Sequence, residues 1–159
     1  MPTIYYEAIK SQRSGLPMMR HLSLNCPDDP NTLFIEDAFM LGDLLVAPIV
    51  YEGQTTRPVY LPEGNWIDLW SRKKYQGPKW ITSEPYKDRI PVYLREGGAL
   101  ALNLDSSFQL GSYAGNGIDS YDNLCFYLAG ECGTTHFEDN LGNKLIITWD
   151  NEDVNIERI

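Results

Sequence analysis

The residues best suited to acid–base chemistry are Asp28 and Asp29, adjacent carboxylates in the run Pro27-Asp28-Asp29-Pro30-Asn31. Cleavage of a glycosidic bond needs two carboxyl groups of this kind, one to protonate the leaving oxygen and one to attack or to activate water. The same run is turn chemistry, in which an aspartate caps the helix that follows. Adjacent side chains in a turn seldom face one substrate atom together, so the capping reading is the stronger. His21 and His136 are the only histidines, and neither has a second histidine or a cysteine at ligand spacing, so no metal is expected. Ser14 and Ser23 lack the strand-to-helix elbow of a hydrolase nucleophile. The acidic stretch 138–143 faintly suggests calcium but lacks the alternating oxygen ligands and distal glutamate of an EF-hand loop, and reads better as a hairpin turn. Tyr51, Tyr60, Trp66, Trp70, Tyr75, Trp80, Tyr86 and Tyr93 crowd one short stretch. An exposed row of them could stack on sugar rings, but large aromatics more often fill a core or an interface.

These groups sit in a chain of 159 residues, 43% hydrophobic and 22% charged, the composition of a folded protein. The formal charge of -9 repels phosphate backbones, so nucleic acid is excluded as the expected partner. No apolar run approaches the roughly 20 residues of a membrane-spanning helix, so no membrane is expected either. Cys26, Cys125 and Cys132 are an odd set without close pairs, which argues against a disulfide framework. No basic-then-apolar leader is visible, which favours the cytoplasm unless a targeting segment precedes this sequence.

Two patterns position the candidates. Ile4, Tyr5, Ala8 and Ile9 give Thr3–Arg13 an apolar helical face, closed by Ser14-Gly15. Alternation over 16–24 predicts a strand, and 32–41 a short helix. That cadence of helix, strand and helix belongs to an α/β barrel or a doubly wound sheet. After Gly42-Asp43 the pattern changes. Strands are predicted at 44–50, 57–61, 66–70, 81–82, 89–96 and 99–102, with Pro62–Asn65 as a turn. This is the spacing of an antiparallel β-sandwich. Residues 103–123 read as a linker with a candidate strand at 108–110. Further strands follow at 124–129, 133–138 and 144–149.

Three segments carry a resemblance: Gly15-Leu-Pro-Met-Met-Arg-His-Leu22, Pro27-Asp28-Asp29, and Phe39-Met-Leu-Gly-Asp-Leu-Leu-Val-Ala-Pro48. They are similar to the late part of glycoside hydrolase family 31. The stretches 59–66, 68–70, 90–98 and 137–145 continue the match in order. The resemblance implies a mainly β fold: an antiparallel β-sandwich over 43–103, preceded over 1–42 by the last helix-strand-helix of a (β/α)8 barrel. An incomplete second β domain would begin at 104–159. It implies the C-terminal part of a retaining α-glucosidase-like hydrolase acting on α-linked glucoside oligosaccharides, without a cofactor. Its two catalytic aspartates would lie on earlier barrel strands, so no catalytic residue is assigned within this sequence and the chain alone is expected to be inactive. The sandwich would pack against and support the barrel. Barrel sites lie at the C-terminal ends of strands. A strand at 17–24 would therefore put Asn25, Asp28 and Asp29 on the active-site face. The alternative is a free-standing carbohydrate-binding β-sandwich module, which would explain the aromatics but has no use for the helical lead.

Overall fold

A computed structural model describes residues 2–84, 89–109, 121 and 123–159. Among them the fold is mainly β, with antiparallel strand pairing throughout and few helices. No described helix is long and apolar enough to cross a membrane. The chain divides into two compact units, residues 19–96 and residues 1–18 with 97–159.

The 19–96 unit is built on one six-stranded sheet. Its strands are β1 (Met19–His21), β2 (Phe39–Leu41), β3 (Leu44–Val46), β4 (Arg57–Asp68), β5 (Lys74–Ser83) and β6 (Val92–Arg95), in the order β1-β2-β3-β6-β4-β5. Gly42-Asp43 is the turn of the β2–β3 hairpin, with Leu41 opposite Leu44 and Gly42 at φ 57°. The expected domain edge after residue 42 therefore falls inside a hydrogen-bonded pair. β1 pairs antiparallel with β2, whereas the strands of a (β/α)8 barrel run parallel. The barrel-strand reading of 17–24 is corrected to a three-residue edge strand followed by a helical turn, α2 (Leu22–Asn25), counting the N-terminal helix below as α1. The helix expected over 32–41 is a 3-10 turn at Pro30–Phe34 and then β2. Its apolar residues are spent on a strand because Met40 must join the core beside Leu45 and Leu22.

The turn expected at Pro62–Asn65 is instead an interruption within β4. The register shifts between Leu61 and Gly64, and the strand resumes to Asp68. Proline without an N–H and a glycine at φ 125° suit a bulge as well as a turn. Opposite it lies Gly77, where an added Cβ would stand 2.0 Å from the Pro62 carbonyl oxygen. The Trp66 indole N–H donates to that same Pro62 oxygen at 2.9 Å. The core gathers on Trp66, Tyr93, Leu61, Leu45, Met40 and Leu22, all essentially free of solvent. Arg57 is buried with them. Its guanidinium donates to the Pro48 and Asp37 carbonyls and pairs at 2.9 Å with the half-exposed Asp37 carboxylate.

The second unit contains α1 (Pro2–Ser14), the hairpin β7–β8 (Ala99–Leu104 and Asn123–Leu128), and a three-stranded sheet, β9 (Gly133–Glu138), β10 (Lys144–Trp149) and β11 (Val154–Arg158). The expected edge after residue 103 thus falls within β7. Helix α1 ends as expected, with Gly15 at φ 74°. The buried face is not the expected one. Thr3 and Glu7 are buried while Ile4 is exposed, because the Thr3 hydroxyl donates to the Ala101 carbonyl at 2.7 Å and orients the helix on β7. Strands β9 and β10 match expectation, and β11 extends the sheet beyond it. The candidate strand at 108–110 is not found at Phe108 and Gln109; Leu110 and Tyr86 lie outside the described residues.

Candidate functional site

The Pro27–Asn31 turn owes its shape to Asp29. Its Oδ1 accepts from the Asn31 backbone N–H at 3.1 Å and the Asn31 side-chain amide at 2.9 Å, capping the 3-10 turn. Its Oδ2 accepts from the Tyr60 hydroxyl of β4 at 2.6 Å. The Tyr60 hydroxyl holds the Asp29 carboxyl below the usual carboxylate range; partial burial works against this, and Asn31 adds to the depression. Burial, and then the bond to Asp29, push the Tyr60 phenol up. Asp29 is therefore an ionised carboxylate with both oxygens engaged, a structural group and not a free acid or nucleophile. Asp28 beside it is exposed.

Asn25 ends α2, which His21 caps by accepting from the Ser23 N–H at 3.3 Å. The Asn25 Oδ1 is buried and has no hydrogen-bond partner among the described residues. Across from it β6 brings in Arg95. The Arg95 guanidinium lies 5.0 Å from the Trp66 ring centre and donates to the Cys26 sulfur at 3.8 Å, while its Nε is buried without a partner among the described residues. Asn25, Cys26 and Arg95 line an open cleft of about 500 Å³ that also takes in Asp28, Asp29, Glu63 and Pro78.

The structure thus brings Asn25, Asp28 and Asp29 to one cleft. Arg95 and Glu63 join them; both fall in the family-matched stretches 90–98 and 59–66, but each is remote in the chain and reaches the cleft only through strand order. The aromatic row divides. Trp66, Tyr60 and Tyr93 are core, whereas Tyr51, Trp70 and Trp80 are exposed. Burial pushes the Tyr93 phenol up to about 12, with the neighbouring Ser83 side chain working the other way. Among the described residues no three His, Cys, Asp or Glu side chains are grouped to hold a metal ion. The loop at 139–143 is a hairpin turn. Asp139 Oδ1 accepts from the Leu141 and Asn143 N–H groups at 2.9 and 2.8 Å, and Oδ2 accepts from the Asn143 amide at 2.7 Å. The cleft offers hydrogen-bond acceptors, one guanidinium and an apolar wall; it presents no activated nucleophile beside a base.

Comparison with known proteins places this arrangement. A family model described as the glycosyl hydrolase family 31 C-terminal domain matches residues 15–100, reaching back across Gly42-Asp43. An isomaltosyltransferase from Sporosarcina globispora is 36% identical over 148 residues, 91% of this chain and 13% of that protein. Alpha-glucosidase 2 from Bacillus thermoamyloliquefaciens is 33% identical over 103 residues, 64% of this chain and 13% of that protein. The solved structure of a cycloalternan-forming enzyme from Listeria monocytogenes, in complex with a pentasaccharide substrate, superposes with a TM-score of 0.85. It is 37% identical and covers 98% of this chain and 15% of that one. The chain spans only about 13% of the length of these curated relatives.

Proposed function

The chain belongs to glycoside hydrolase family 31, and on that premise we propose that it is the C-terminal part of a retaining, α-glucosidase-type enzyme acting on α-linked gluco-oligosaccharides. Its role is to support the catalytic barrel, and the reacting carboxylates lie elsewhere in the enzyme. The observation that carries this is the state of Asp29. Retention requires a carboxylate free to attack the anomeric carbon and a second carboxyl across the bond. Of the three carboxylates that line the cleft, Asp28, Asp29 and Glu63, Asp29 has both oxygens engaged with Tyr60 and Asn31.

Within such an enzyme α1 would be the last piece of the barrel, and the sheet beginning at β1 the proximal β domain. Residues from β8 onward would open the distal β domain. Leu24, Leu33 and Phe34 lie exposed in the 19–96 unit, and Phe34 is 82% accessible. A surface of that kind suits an interface with the barrel. Asn25, Asp28 and Asp29 stand beside it. A free-standing sugar-binding module has no need of α1 or of this apolar surface.

Transfer in place of hydrolysis is a second reading. It is favoured by the extent of the alignments: the isomaltosyltransferase aligns over 91% of this chain, the α-glucosidase over 64%. The test joins the chain to the catalytic barrel that this reading assigns to the same enzyme. The joined enzyme should release glucose from an α-glucoside with the α anomer appearing first by NMR, and the 159-residue chain alone should release none. Turnover by the chain alone, or first appearance of the β anomer, refutes the reading. Isomaltosyl-extended products in place of free glucose select transfer.

A further inference from the structure

Trp80 has no role in the core or in the support just described. It sits on β5, at the edge of the six-stranded sheet, and is 56% exposed, whereas its cross-strand partner Tyr60 is buried. A tryptophan normally hides most of its surface. Its ring lies 5.3 Å from the Tyr60 ring, tilted at 54°. Pro78, two residues earlier on the same face of β5, lines the Asn25–Asp29 cleft, and two residues along a strand span about 7 Å. Tyr60 ties the same position to Asp29 through its hydroxyl. Trp80 is therefore an exposed aromatic plate two residues beyond the cleft-lining Pro78 on the same face of β5.

We propose that this cleft, together with Trp80, binds a short α-linked gluco-oligosaccharide. A pyranose ring offers an apolar C–H face and a belt of hydroxyl groups, which are both donors and acceptors. The apolar face matches Trp80 and Pro78. The Asp28 and Glu63 carboxylates accept from hydroxyls, and the Arg95 guanidinium donates to them. The cleft volume of about 500 Å³ falls in the range of small-ligand sites. With three carboxylates to one guanidinium, the site suits a neutral polyol better than an anion. The choice of an α-glucan rests on the reading of the parent enzyme above; the saccharide chemistry of the cleft rests on the residues named here.

The test is an amide NMR titration of the 159-residue chain with isomaltotetraose and, separately, with maltotetraose. Saturable shifts are expected at the amides of Asn25, Cys26, Asp28, Asp29, Glu63, Gly64, Lys79 and Trp80. Trp80→Ala should weaken binding at least about five-fold, the scale of one lost stacking contact. Asp28→Ala, at an exposed position outside the core, should weaken it as well and decides the matter if Trp80→Ala disturbs the fold. The absence of shifts with both glucans, shifts confined to other residues, or unchanged affinity in the folded variants overturns the site. None of these outcomes touches the reading of the parent enzyme, which is judged by turnover of the joined protein.

Discussion

Gly77→Ala tests whether the β4–β5 crossing is as tight as the structure has it. A Cβ at Gly77 would lie 2.0 Å from the Pro62 oxygen and 2.8 Å from the Leu61 oxygen, both backbone atoms. Ordinary contact distances require the strands to part by roughly 1 Å or more. Overpacking costs about 1–3 kcal/mol where side chains can yield. Here the obstacle is the main chain at a register shift, so we expect about 3–4 kcal/mol. Gly53→Ala in the same unit is the control. Gly53 has φ 74° with nothing within 4 Å of an added Cβ, so only backbone conformation is at stake. That costs about 1–2 kcal/mol, less the 0.4–1 kcal/mol regained by restricting the unfolded chain, or roughly 0.5–1 kcal/mol. The assay is urea unfolding followed by tryptophan fluorescence, since Trp66, Trp70 and Trp80 all report on the 19–96 unit. The two variants should differ in unfolding free energy by about 2–3.5 kcal/mol, read from their urea midpoints at a common slope. Equal losses in the two would refute the close crossing.

Two further predictions concern buried and capping charges. Arg57→Ala should destabilise the same unit by about 3–5 kcal/mol, because the Pro48 and Asp37 carbonyls lose their donor and a void opens beside the sheet; a loss under 1 kcal/mol by urea melt would show those carbonyls to be satisfied otherwise. The pKa of Asp29 is lowered in the folded state, first by the Tyr60 hydroxyl, so its contribution is present above the unfolded carboxyl pKa of about 4 and is lost as pH falls through the lower folded value. Asp29→Asn and Tyr60→Phe should therefore both flatten the melting temperature against pH below about pH 4; acid limbs parallel to that of the unaltered chain would exclude this coupling.

Half of the candidate cleft is legible in the sequence. Asn25, Asp28 and Asp29 lie close together in the chain, and Pro-Asp-Asp-Pro-Asn carries its own turn chemistry, so local reading finds both the loop and its cap. Arg95 and Glu63 cannot be found that way. Arg95 reaches the loop because β6 lies between β3 and β4, and Glu63 because β4 carries a bulge where a turn is expected. The motifs over 15–48 point to family 31, but only the antiparallel β1–β2 pairing separates an edge strand from a barrel strand. Both kinds of strand show similar apolar residues over so short a run.

By itself, the sequence determined what depends on near neighbours: helix α1 and its glycine stop, the capped turn, the hairpin at 139–143, and the mainly β character after residue 42. Helix and turn signals act within a few residues, so a linear reading reaches them. The tertiary structure decided which strands share a sheet, which face of α1 is buried, and which aromatics leave the core. Those outcomes depend on partners distant in the chain. Thr3 is buried because Ala101 offers a carbonyl, and Trp80 is exposed because β5 is an edge strand. No local pattern encodes either, since the energy that selects them exists only once the distant strands have met.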